Sequence, residues 1–234
     1  MGKNRVNPAI IYTDDFEAED TVLECRGVGI CYKKPLKLGK SSDRRRREFW
    51  PFRGVNMVLK KGETLGIVGR NGAGKSTLLR LLAGVTAPDE GNLFVRRDLR
   101  VQLLSINLGF EKILTGRENA IMAGMLLGKS REAMLERIEQ IKEFSELGDF
   151  FDEPVYSYSS GMRARLGFSA AIEADPDLLL LDEILAVGDK QFKEKSRKVT
   201  RSLIDSGKSV VIVMHDRSFI NKNCDKVLEL DQSN

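Results

Sequence analysis

Two periodicities alternate along the chain. Apolar runs of four or five residues bounded by polar turns predict short strands; apolar residues spaced three or four apart predict helices with one buried face. The first strand signal is Thr21-Val22-Leu23-Glu24-Cys25. The second is the alternation over 55–59, closed by the turn Lys60-Lys61-Gly62-Glu63. A third run, Thr64-Leu65-Gly66-Ile67-Val68, leads through a glycine-rich segment into Thr77-Leu78-Leu79-Arg80-Leu81-Leu82, the first turns of a helix. A turn at Pro88-Asp89-Glu90-Gly91 precedes short strands at 93–95 and 101–104.

The spacing then becomes helical from 115 to 174. Thr115 with Glu118 three residues on has capping-box spacing, and Ile121, Met125 and Leu126 follow at helical intervals. A second helix is expected from Ser130, with Met134, Leu135, Ile138 and Ile141 on one stripe. After Pro176 the strands return at 178–181 and 210–214, with a charged helix between them at 190–206. Strands alternating with helices predict an α/β protein whose sheet is mostly parallel and covered on both faces. Residues 1–20 read as a loose arm before a domain spanning 21–234. Residues 33–54 read as an insertion between strands, basic at Arg44-Arg45-Arg46-Arg47 and aromatic at Phe49-Trp50-Pro51-Phe52.

Composition sharpens the class. Among 234 residues, 41% are hydrophobic and 31% charged, enough apolar content for a core and enough charge for a water-exposed surface. Lys+Arg 38 against Asp+Glu 34 leaves +4, spread along the chain, which does not point to nucleic acid. Cys25, Cys31 and Cys224 lack metal-ligand spacing and read as reduced thiols. No N-terminal stretch resembles a signal peptide. The longest apolar runs fall far below the ~18 residues that span a bilayer, so any membrane part must come from another chain.

The chemistry sits in the glycine-rich segment. Gly69-Arg70-Asn71-Gly72-Ala73-Gly74-Lys75-Ser76 has the form G-x-x-x-x-G-K-[ST] between a strand and a helix, with Thr77 next. Backbone N–H groups of such a loop wrap a polyphosphate, aided by the helix N-terminus. Lys75 would reach the terminal phosphates and Ser76 would sit on Mg²⁺. The strand 178–181 ends in Asp182-Glu183. Asp182 is expected on the strand neighbouring the phosphate loop, as a second metal ligand, and Glu183 as the group that polarises an attacking water. His215, the only histidine, follows the strand 210–214. In a parallel sheet that places it on the ligand-binding edge with Gly69 and Asp182. The fold class expected is therefore an α/β phosphate-loop NTPase, with an antiparallel β part near the N-terminus and a helical subdomain inserted at about 107–174.

Tyr158-Ser159-Ser160-Gly161-Met162-Arg163 completes an ordered set: phosphate loop, serine-glycine signature, apolar-Asp-Glu, strand-end His. This order resembles the ATP-binding subunits of ABC transporters over about 21–231. The resemblance implies an ATPase using ATP and Mg²⁺ in a head-to-tail dimer of two copies. Ser159, Ser160, Gly161 and Met162 of one copy would close on nucleotide held by the other, and Asp189 would lie in the loop after Glu183. It also implies an adenine-stacking aromatic, best matched by Tyr32, with Trp50 and Phe52 competing. The family's usual glutamine before the helical block is replaced near Ile106 or Asn107, making Asn107 a candidate metal contact; Gln102 comes too early.

The segments 158–166 and 182–189, together with Leu108-Gly109-Phe110 and 114–119, resemble exporters of O-antigen, capsule and teichoic acid. That implies a polytopic membrane permease as partner, a lipid-linked polysaccharide as cargo, and a place on the cytoplasmic face of the bacterial inner membrane. The four arginines would then suit the membrane surface and a carrier's phosphates, or be a solvated loop. Some O-antigen exporters carry a C-terminal glycan-binding domain; the sequence ends at Asn234 without one, so export dispenses with it or the sequence is truncated. The alternative reading is a soluble ABC-type ATPase not coupled to transport.

Overall fold

The structure is a computed structural model and describes residues 9–33, 48–104, 110–182, 190–214 and 216–230. Asn107, Glu183, Asp189, His215 and residues 44–47 lie outside the described residues. Two sheets and a helical block make up the fold. The parallel sheet has the order β6-β7-β8-β4-β9, formed by β4 (Thr64–Gly69), β6 (Val101–Leu104), β7 (Leu178–Asp182), β8 (Ser209–Val213) and β9 (Lys226–Leu230). Helices α1 (Lys75–Leu82) and α5 (Ser160–Glu173) to α7 (Arg217–Asn223) pack on its faces, with α6 at Lys190–Asp205.

Period-2 alternation explains why these strands are apolar throughout. Leu178, Leu180, Val211 and Val213 join one core with α1, while Leu179, Leu181, Val210 and Ile212 join another with Phe168 of α5, Phe192 of α6 and Ile220 of α7. On β4 the second face is so close to α7 that a Cβ at Gly66 would lie 2.5 Å from Ile220 Cγ2. Glycine is the residue that permits this contact.

The mixed sheet, order β1-β5-β2-β3, lies across α1 from the parallel sheet and shares its first core through Leu23, Leu59 and Leu93. It comprises β1 (Ala9–Thr13), β2 (Thr21–Lys33), β3 (Glu48–Lys60) and β5 (Glu90–Arg96). The β2 pairings with β3 and β5 are antiparallel, and β1 runs parallel to β5. Three expectations change here. Part of the expected loose arm is strand β1, because Ile10 and Ile11 find a partner in β5, and the Ala9 N–H donates to Asn92 Oδ1 at 3.1 Å. Strand β2 runs eight residues past Cys25. The aromatic half of the expected insertion is strand as well: β3 begins at Glu48, paired with Lys33, so only 34–47 separates the two strands. Pro51 is accommodated because β3 is an edge strand.

The helical block comprises α2 (Gly116–Leu126), α3 (Arg131–Glu136), α4 (Ile138–Ser145), two 3-10 turns (Gly148–Asp152 and Val155–Ser157) and α5. It has its own core, including Ile121, Met134, Ile141, Phe151 and Leu166. The expected second helix breaks at Arg137, which ends α3 and starts α4 at φ −96° and ψ −3°. Met134, Ile138 and Ile141 are buried, whereas Leu135 is exposed and leaves the stripe. The Thr115–Glu118 capping box forms in full. Phe144, Phe168 and Phe192, with ring centroids 6.0 to 6.1 Å apart, join the block to the parallel sheet. Among the described residues no helix is long and apolar enough to cross a membrane.

Candidate functional site

Five parallel strands deliver their C-terminal ends to one edge, and the loop after β4 crosses it. Gly72 and Gly74 take φ of 82° and 91°, a region that side-chain-bearing residues rarely adopt. A Cβ at Gly74 would also lie 2.8 Å from Pro51 Cβ and 2.9 Å from Phe52 Cδ1. Gly74 thus lets the loop turn into α1 while resting on β3. It caps α1 without a side-chain hydrogen bond, so no cap covers the first-turn N–H groups. Lys75 is 8% exposed, and its Nζ donates to Gly69 O at 2.8 Å and Arg70 O at 2.9 Å. The ammonium is held over the loop's own carbonyls, with its remaining proton for an anion.

These groups line a cavity of about 520 Å³. The phosphate loop, the start of α1 and the ends of β7 and β8 line it with Asn71, Gly72, Gly74, Lys75, Ser76, Thr77, Asp182 and Val213, and β2 and β3 line it with Tyr32, Phe49 and Pro51. Gly69, Arg70 and Ala73 complete the loop behind it, with Ala73 buried. Asp182 reaches the cavity differently from the expectation. Strand β8 lies between β7 and β4, and Asp182, Val213 and Ile67 form one row across the three strands. The carboxylate therefore stands two strand spacings, about 10 Å, from the β4 backbone. The loop and the start of α1 bridge that gap, so Ser76 and Asp182 still share the cavity.

Ser159, Ser160, Gly161 and Met162 do not line this cavity. Ser159 is the N-cap of α5, its Oγ accepting from the Met162 N–H at 3.2 Å, and Ser159 and Ser160 are exposed. Tyr158 underneath is buried and donates to Phe150 O at 2.5 Å, anchoring the helix start. Of the aromatics considered for the base, Tyr32 lines the cavity, whereas Phe52 is 1% exposed in the core and Trp50 lies 4.6 Å from the Arg53 guanidinium. Phe49 and Pro51 line it without having been singled out from the sequence. Only the β2–β3 register puts them there.

The family model described as ABC transporter matches residues 52–186, more than half of the chain. This chain belongs to the ABC transporter family. The O-antigen export system ATP-binding protein RfbB of Myxococcus xanthus is 42% identical over 193 residues, 82% of this chain and 44% of that protein. The RfbB of Klebsiella pneumoniae is 42% identical over 185 residues, covering 79% and 75%. The teichoic acids export ATP-binding protein TagH of Lactococcus lactis is 38% identical over 198 residues, covering 85% and 42%. The ABC chain thus spans less than half the length of the first and third of these relatives. An ATP-binding cassette solved as a dimer in a post-hydrolysis state with ADP and Pi shares the fold, at TM-score 0.72 and 22% identity over 90% of this chain and 94% of the other. Family membership implies that this ABC chain binds nucleotide.

Proposed function

We propose that the chain is the ATP-hydrolysing subunit of an ABC exporter that moves lipid-linked polysaccharide, of O-antigen, capsule or teichoic acid type, across the bacterial cytoplasmic membrane. The observation that carries the reading is the single cavity uniting Lys75, Ser76 and Asp182. Relatives at 38 to 42% identity named for O-antigen and teichoic acid export support the cargo class.

The Lys75 ammonium and the loop N–H groups bind the phosphates of ATP. A hydroxyl and a carboxylate are hard oxygen donors, the set that suits Mg²⁺, so Ser76 and Asp182 would hold the ion. An ion held by these two residues would supply neutralisation of charge on the phosphate oxygens. Glu183, next in sequence after Asp182, would orient and deprotonate the attacking water, with His215 at the end of the following strand and Asn107 as a further polar contact. Tyr32 stacks on the base. The start of α5, with Ser159, Ser160, Gly161 and Met162, would present the exposed Ser159 and Ser160 and the Gly161 N–H to a nucleotide on a second copy, and Asp189 would lie in the joint between copies. The permease supplies the membrane path, placing this chain on the cytoplasmic face. The arginines at 44–47 would meet lipid-carrier phosphates.

ATPase turnover, measured with the chain alone and with its cognate permease in vesicles, tests the proposal. Glu183→Gln is expected to keep ATP affinity while turnover falls about 100-fold or more, within the range general-base catalysis supplies. Turnover that survives this change removes Glu183 from the mechanism. Turnover indifferent to any permease argues for an ATPase outside transport.

A further inference from the structure

We propose that Phe49 touches the nucleobase and forms, with Tyr32, a two-ring platform at the base end of the cavity. The proposal rests on the ATP-binding reading above and adds a residue to it. Tyr32 and Phe49 are direct partners in the antiparallel β2–β3 ladder. Opposed residues in such a ladder share a face, with Cβ atoms about 4.5–5.5 Å apart. Both rings line the cavity, and both keep much of their surface accessible, 44% for Tyr32 and 37% for Phe49.

The neighbours of Phe49 are committed elsewhere. Trp50 packs on the Arg53 guanidinium at 4.6 Å, and a Cβ at Gly29 would come within 3.1 Å of its ring. Phe52 belongs to the core between the sheets. Pro51 lines the cavity two residues after Phe49 and presses against Gly74. The aromatic surface is therefore continuous with the phosphate loop. A flat, π-faced group joined to a polyphosphate fits that sequence of surfaces. Among the described β2 and β3 side chains that line the cavity, the Tyr32 hydroxyl is the one polar group, so stacking rather than edge recognition holds the base.

The test is calorimetric titration of the full chain with MgATP, MgGTP and inorganic tripolyphosphate. Phe49→Ala is expected to weaken ATP and GTP alike, roughly 5-fold or more, the scale of one base–aromatic contact. Tripolyphosphate affinity should not move. Phe49→Tyr should retain nucleotide affinity, and Phe49→Leu, similar in apolar bulk without a ring, should not. Unchanged ATP affinity in Phe49→Ala, or full affinity in Phe49→Leu, overturns the platform. An equal loss for tripolyphosphate overturns it too, because the effect would lie in the phosphate loop. Failure of the unmutated chain to bind either ATP or tripolyphosphate would overturn the nucleotide reading itself, a result separable from the others.

Discussion

The sheet half and the helical block use their polar groups in opposite ways. At the sheet edge, ladder hydrogen bonds and glycine geometry hold the backbone, leaving Ser76, Thr77 and Asp182 directed at a cavity. In the helical block the polar side chains tie the chain to itself. Buried Asn119 accepts from the Glu111 N–H and donates to the carbonyls of Glu111, Leu114 and Thr115. Arg117 and Lys142 both donate to Asp152. The sheet half is arranged for a ligand, and the helical block is arranged to be a rigid carrier of the α5 cap. Substitutions in the first should change binding at little cost in stability, and substitutions in the second should do the reverse.

The largest separation is expected at Lys75. Lys75→Ala removes the charge-assisted hydrogen bond that the remaining ammonium proton offers to phosphate, worth about 1.5–3 kcal/mol. That amounts to about a 10- to 100-fold loss of ATP affinity. Gly69 is half-buried and Arg70 exposed, so the carbonyls that Lys75 now satisfies can turn to water, and urea stability should change by less than about 1 kcal/mol. Titration and denaturation of the same sample check both halves. Retained affinity would mean that the ammonium does not face the phosphates.

Asn119→Ala is the mirror experiment. Four hydrogen bonds centre on this fully buried amide, and Ala would leave the Glu111 N–H without its acceptor inside the block. Unsatisfied buried groups cost about 1–3 kcal/mol each, so a loss of about 3 kcal/mol in urea unfolding is expected, with ATP affinity of the folded chain unchanged. A loss below about 1 kcal/mol would show that the block does not depend on its internal polar ties.

Legibility from the sequence divides along the same line of local against long-range. The phosphate loop, the Thr115 capping box and the Asp182 strand end are set by residues within a few positions of one another, so spacing alone revealed them. Strand β1 escaped notice because five residues become a strand only against β5, some 80 positions away. Phe49 escaped because its role depends on the register that opposes it to Tyr32 across residues 34–47. Strand β8 was itself expected at 210–214, but its place between β7 and β4 was invisible for the same reason, since strand order is a property of the assembled sheet. Arg137 shows the converse: a helical stripe in the sequence does not fix where one helix stops and another begins.

The smallest expected effect is acid sensitivity confined to the helical block. Donation from Arg117 and Lys142 lowers the Asp152 carboxyl from 3.8 to about 2. A carboxyl whose pKa is lower folded than unfolded stabilises the fold above the unfolded value and loses that contribution as pH falls through the folded one. The Asp152 contribution should thus be whole above about pH 5 and fade between about pH 4 and 2. Its side chain is 46% exposed, and an exposed ion pair is worth under about 1 kcal/mol even in a cluster. The difference in urea midpoint between the unmutated chain and Asp152→Asn should be constant from pH 7 to 5 and shrink toward pH 3. A gap that stays constant down to pH 3 would assign the Asp152 contribution to packing over the Phe151 ring, beside which Arg117 and Lys142 lie at 5.3 and 5.9 Å, rather than to charge.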